Sequence, residues 1–171
     1  AEAGRAQREG RLALGTLDSW LIWRLSPRRP FITDASTASR TLLYDLREGG
    51  WSDTAAGLMK VRLGDLARIV PSCGSLATLA DARWGRRTLD LRASLVDQPA
   101  SLFAHGCWDP GQTKITYGTG CFMLMNSGQA IPPQDTALLC SVAWQCGQTR
   151  TLMCDAGVYA AGSLIGWLER S

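Results

Sequence analysis

Thr116-Tyr117-Gly118-Thr119-Gly120-Cys121-Phe122-Met123-Leu124-Met125-Asn126 is the stretch that decides how this chain folds. Upstream of its two glycines, Thr113 to Tyr117 is rich in β-branched and aromatic residues. Downstream, Cys121 to Met125 is an unbroken apolar run of buried-strand length. The pattern predicts strand, tight turn, strand. Gly118 and Gly120 allow a sharp turn and the close approach of a ligand to the backbone. A Gly-Thr-Gly turn presents N–H groups and one hydroxyl, a combination suited to phosphate oxygens. The same tripeptide also makes an ordinary hairpin, and on these three residues alone the hairpin is favoured.

The totals set the frame around this stretch. At 171 residues the chain can form one domain with a sizeable core, or parts of two. Hydrophobic residues at 46% and charged ones at 19% fit a soluble globular protein. No run reaches the ~18 apolar residues of a membrane helix, and no signal peptide is visible. The net charge of +3 is mild. Arg28-Arg29 and the cluster from Arg83 to Arg92 lack regularly interleaved aromatics, so a nucleic-acid surface is not favoured. The 6 cysteines contain no Cys-x-x-Cys pair and sit mostly in apolar runs, where cysteine acts as a small hydrophobe. His105 is the lone histidine and has no clustered ligands. These features predict a reducing, cytoplasmic setting without structural metal or disulfide, although the even count leaves a disulfide framework open. Neither end looks like a natural terminus, which suggests a fragment or a trimmed chain.

Taken in order, residues 1 to 13 are polar and Arg-rich, a frayed helix or a solvated arm. Thr16 then suits the N-cap of a helix in which Leu17, Trp20, Leu21 and Leu25 share a core face. After Ser26-Pro27-Arg28-Arg29-Pro30 breaks that helix, Phe31 to Asp34 reads as a short strand. Ala35 to Thr41 reads as a polar loop with an Asp34–Arg40 pair. Leu42 to Asp45 suggests another strand, and Ser52 caps a helix over Asp53 to Met59. Leu63 to Val70 reads as a second helical piece, and residues 72 to 88 as surface loop. No internal repeat is visible.

Leu89 to Val96 reads as a strand leading into Asp97, with a helix from Pro99 to His105 behind it. Asp97 therefore stands where a strand ends and a helix starts, the place where clefts open in α/β folds. As an N-cap, its carboxylate would accept backbone N–H bonds. As a general base, it would take the proton of an attacking hydroxyl during phosphoryl transfer, a reaction that asks mainly for positioning. The two roles are compatible. Leu138 to Gln145 and Thr149 to Cys154 read as strands around a Cys146-Gly147-Gln148 turn. A helix from Val158 to Arg170 follows, with Ala160, Ala161, Leu164, Ile165 and Leu168 as its buried stripe.

Four strings carry a family resemblance. They are Gly15 to Leu25, the Thr33-Asp34 to Ala38-Ser39-Arg40-Thr41 segment, Val96-Asp97-Gln98-Pro99-Ala100-Ser101-Leu102-Phe103, and Tyr117 to Gly128. In this order and at these separations the chain resembles the FGGY carbohydrate kinases, and among them the glycerol kinase branch, over nearly its whole length. The resemblance implies an α/β, ribonuclease-H-like fold of the actin and hexokinase kind, with two domains closing on a cleft. Residues 1–94 would be the C-terminal part of the first domain and residues 95–171 the N-terminal part of the second. Asp97 becomes the catalytic base and, with Gln98, a substrate contact. Gly118, Thr119 and Gly120 become nucleotide-phosphate contacts. Gly162, in Ala161-Gly162-Ser163, becomes a nucleotide contact, against its alternative as a glycine needed for close packing.

The implied activity is ATP-dependent phosphorylation of glycerol to sn-glycerol 3-phosphate in the cytoplasm, with Mg²⁺ bridging the nucleotide phosphates. The implied partners are a polyol and a nucleotide, with no nucleic acid and no membrane; a homo-oligomer is left open. The family's first phosphate loop, metal-holding Asp and Arg-Glu polyol clamp would lie upstream of residue 1, so the piece alone is expected to be inactive. Departures from the family pattern are Val96 in place of a Gly, Pro99 in place of a Gln, Gly166 in place of a nucleotide-side Gln, and Ala35 in place of an aromatic residue. They keep two alternatives open: an FGGY kinase for another polyol or sugar, and a non-catalytic relative that serves as a binding module.

Overall fold

The computed structural model describes residues 2–85, 87–131 and 138–170. Residue 86 and the side chain of residue 83, both in the basic cluster, lie outside the described residues. The chain divides into two compact units, one of residues 1–95 with 145–148 and one of residues 96–144 with 149–171.

The first unit opens with α1 (Glu2–Arg8) and α2 (Leu17–Leu25). Parallel strands β1 (Ile32–Asp34) and β4 (Arg68–Val70) pair beside α2. Between them come α3 (Ala35–Ser39), the short hairpin of β2 (Tyr44–Asp45) and β3 (Gly50–Trp51), and α4 (Asp53–Leu58). An antiparallel pair follows, β5 (Cys73–Ala80) with β6 (Thr88–Ala93). Ile22, Ile32 and Val70 form the buried centre, with Leu76, Ala77 and Leu91 packed against it.

Several expectations need correction here. Residues 73–80 form β5 rather than loop, because antiparallel pairing with β6 supplies the ladder that small residues such as Ser75 and Ala77 do not advertise. The segment after Leu63 is a single 3₁₀ turn, Leu63–Asp65, that gives way to strand β4. Ala35–Ser39 is a helix rather than a loop. The buried Asp34 caps it, accepting from Ser36 N at 2.8 Å and Thr37 N at 3.0 Å, and it also accepts from Ser72 Oγ at 2.7 Å. Thr16 makes no side-chain cap on α2; its hydroxyl donates to Asp18 Oδ1 instead. The buried face of α2 is Ser19 and Ile22, whereas Leu17 and Trp20 are 70% and 55% exposed. The cap of α4 is as expected, with Ser52 Oγ accepting from Ala55 N at 3.2 Å.

Asp65 ties this unit together. Its buried carboxylate accepts from Arg62 at 2.9 and 3.1 Å and from Gln7 Nε2 at 3.1 Å. The hydrogen bond from Arg62, more than burial opposes it, holds the carboxyl below its ordinary 3.8. A carboxyl lowered in the folded state adds stability above its unfolded value and loses it as pH falls through the folded value. Asp65→Asn is therefore expected to flatten the loss of stability below pH 3.8, measured by denaturant melts across the acid range. An unchanged acid limb would remove Asp65 from this role.

The second unit contains α5 (Asp97–Ala104), β7 (Thr113–Tyr117), β8 (Cys121–Gly128), β9 (Leu139–Cys146, its last two residues counted in the first unit), β10 (Thr149–Val158) and α6 (Gly162–Leu168). The strands lie in the order β7, β8, β10, β9, with β8 antiparallel to both β7 and β10. Leu102, Leu124, Val142 and Met153 are fully buried on these elements. Phe103 meets Trp144 edge-on at 5.3 Å between ring centroids. Asn126, fully buried, donates to the carbonyls of Cys107 and Trp108 at 3.1 and 2.9 Å. The expected helix from Val158 begins only at Gly162, because β10 continues through Val158 opposite Cys121. Its stripe is not buried either: Leu164, Ile165 and Leu168 are 49%, 60% and 60% exposed. No helix among the described residues is long and apolar enough to cross a membrane.

Candidate functional site

The Gly-Thr-Gly turn joins β7 to β8, with Tyr117 opposite Cys121 and Gly118 N donating to Gly120 O at 2.8 Å. The residues that open α6 are hydrogen-bonded onto it. Gly162 N donates to Gly118 O at 3.0 Å, and Ala161 N to Thr119 O at 2.8 Å. Ser163 Oγ reaches the same Thr119 carbonyl at 3.2 Å. A Cβ on Gly162 would stand 2.6 Å from Gly118 O, and one on Gly120 would stand 2.8 Å from Val158 O. Both glycines are thus required by close backbone approach. Gly118, Thr119, Gly120 and Gly162 come together in one cradle with Thr119 exposed.

Asp97 and Gln98 open α5, which a hydrogen bond from Lys114 to Gln98 ties to β7. Val96 is the N-cap residue and Asp97 the first residue of α5, which corrects its reading as the cap. Asp97 is exposed, and its Oδ1 accepts from Gln98 N at 2.8 Å. The buried Pro99 suits this first turn, where a missing N–H costs nothing.

Lys114 joins the start of α5 to β7, and sequence reasoning missed it. It is buried on β7, and its Nζ donates to Gln98 Oε1 at 3.0 Å and to Thr116 Oγ1 at 2.8 Å. Burial pulls its ammonium below the ordinary 10.5, while the charges of Asp97 and Cys107 oppose that shift. The available signal was alternation, which puts Lys114 and Thr116 on one face of β7. One strand therefore links the Asp97-Gln98 helix start to the glycine turn.

The exposed Thr119 hydroxyl and the glycine-lined backbone suit a nucleotide's phosphate oxygens. The same residues do not make a Mg²⁺ site, since no group of three or more His, Cys, Asp or Glu among the described residues could hold a metal ion.

Comparison with known proteins shows the family and the fold. The model described as "FGGY family of carbohydrate kinases, N-terminal domain" matches residues 2–104. The chain is 42% identical over 165 residues to a glycerol kinase from Dechloromonas aromatica, covering 96% of this chain and 32% of that protein. A Mycoplasma pneumoniae glycerol kinase is 37% identical over 173 residues, 99% of this chain and 34% of that one. Among solved structures, Plasmodium falciparum glycerol kinase with ADP aligns at a TM-score of 0.90 and 23% identity, over 98% of this chain and 34% of that chain. A xylulose kinase from Rhodospirillum rubrum aligns at 0.78 and 17% identity, over 98% of this chain and 35% of that chain. These likenesses show the ribonuclease-H-like α/β fold anticipated from the sequence. The chain spans about a third of the length of the curated relatives it matches. With the family model matching more than half of its residues, the chain belongs to the FGGY family of carbohydrate kinases.

Proposed function

We propose that the full-length protein transfers the terminal phosphoryl group of ATP to glycerol, giving sn-glycerol 3-phosphate in the cytoplasm. The observation that carries this reading is β7, whose Lys114 bonds Gln98 beside Asp97 and whose last residues run into the glycine cradle. Asp97 accepts the proton of the attacking hydroxyl as its oxygen closes on phosphorus. Lys114 occupies Gln98 Oε1, which leaves the amide N–H₂ of Gln98 to donate to a polyol hydroxyl. Thr119, flanked by Gly118 and Gly120, takes the nucleotide phosphates, with Gly162 beside it. Residues 1–94 belong to the first of two family domains and residues 95–171 to the second. The likeness of the matched glycerol kinases supports glycerol over other polyols.

A panel of polyols and sugars with ATP, read as ADP release by the full-length protein, tests this. Preference for glycerol is expected. Release only with a sugar would reassign the substrate, and failure to bind ATP at all would favour a non-catalytic binding module.

Lys114→Met provides a narrower test. Removing the charged donor frees the Gln98 amide to turn away from a bound polyol, so KM for glycerol should rise. The fold should persist, because a buried ammonium already opposed by desolvation gives way to an apolar chain of similar length. An unchanged KM in a folded variant would separate Lys114 from Gln98.

A further inference from the structure

Cys73 opens β5 and stands in parallel register with Cys146 at the end of β9, both within the first unit. Register partners in neighbouring strands lie about 4.8 Å apart, inside the Cα range that a disulfide spans. The two sulfurs already touch, with Cys73 Sγ donating to Cys146 Sγ at 2.9 Å. The residues just before them are locked to each other. Ser72 N donates to Gln145 O at 2.8 Å, and Gln145 N donates to Ser72 Oγ at 3.0 Å. Ser72 is in turn fixed by its hydroxyl's bond to Asp34 at 2.7 Å. Both cysteines are thiols in this structure, and Cys146 is exposed.

We propose that Cys73 and Cys146 are a reversible disulfide site, closed by exchange with a low-molecular-weight disulfide such as oxidised glutathione. One protein thiol, as its thiolate, attacks a glutathione sulfur. The first glutathione leaves as a thiolate and takes up a proton. The second protein thiol then loses its proton and attacks the protein sulfur of the mixed disulfide, releasing the second glutathione. Two protein S–H bonds are lost and one S–S bond forms, while the two electrons reduce the incoming disulfide to two thiols. The hydrogen bond with Cys73, and then burial, pushes the Cys146 thiol up to about 11. Attack by Cys146 therefore quickens as pH rises.

A second thiol contact, Cys140 with Cys154 at 3.5 Å, supplies an internal comparison. Cys154 is buried, so a dissolved disulfide reaches that pair less readily. The folded protein would be equilibrated with oxidised and reduced glutathione at mildly alkaline pH, quenched with acid, alkylated and mapped by mass spectrometry. Cys73 and Cys146 should lose alkylation one for one and appear in a linked peptide lighter by two hydrogens, reversed by dithiothreitol. Cys146→Ser should leave Cys73 as a persistent glutathione adduct. If that variant fails to fold, the wild-type map decides alone. Full alkylation of both residues in excess oxidised glutathione, separate adducts on each, or linkage to other cysteines would overturn the assignment.

Discussion

Asp97→Asn in the full-length protein is expected to lower ATP-dependent phosphorylation of glycerol by about 10³-fold, within the range for loss of a positioned general base. Asparagine keeps the side-chain oxygen that accepts from Gln98 N, so the first turn of α5 retains its local bond. The carboxylate is exposed and is no part of the buried core, so the folded state should survive the change. What disappears is an acceptor able to take a proton while the polyol oxygen bonds to phosphorus. The measurement is single-turnover ADP formation at saturating glycerol, with ATP affinity followed separately by calorimetry. Loss of the chemical step with ATP binding retained is the expected pair of results. Near-normal turnover would take the base role away from Asp97, and loss of both would mean that the substitution disturbs more than one carboxylate.

Several local signals in the sequence hold in the fold, though the Thr16 cap and the Asp34-capped α3 were misread. The β7–turn–β8 hairpin follows from glycines flanking one threonine between β-forming runs, and the Ser52 cap follows from one hydroxyl before a helix. A helix start beside Asp97 was likewise legible from an early proline, though α5 begins at Asp97 itself rather than at Pro99. Failures came where partners decided the outcome. β5 is made of small residues that become a strand only when β6 lies beside them. The apolar stripes of α2 and α6 suggested core, yet the first unit buries Ser19 and Ile22 of α2, and Leu164, Ile165 and Leu168 of α6 remain largely exposed. Lys114 was invisible for a related reason. A lysine between threonine and isoleucine reads as a solvated strand position, and only the fold shows its ammonium drawn in to Gln98 and Thr116.

Gly162 carries the second large effect, because the same atom that makes it necessary also makes it testable. Its N–H bonds to Gly118 O at 3.0 Å, and a Cβ would have to stand 2.6 Å from that oxygen. The obstacle is backbone rather than the end of a flexible side chain, so Gly162→Ala must push the start of α6 away from the turn. A displacement near 1 Å at a site that works by positioning costs about 10²-fold. Such a fall is expected in kcat/KM for ATP, with the glycerol KM less affected. Gly166 is the control on the same helix, where a Cβ meets only the Arg170 guanidinium at 3.4 Å. Gly166→Ala should disturb ATP kinetics less than Gly162→Ala and raise stability by up to ~1 kcal/mol through helix propensity. If both alanines proved equally harmless, the close approach of α6 to the Gly118–Gly120 turn would have no part in nucleotide binding. If only the first were damaging, the cradle would be functional as well as structural.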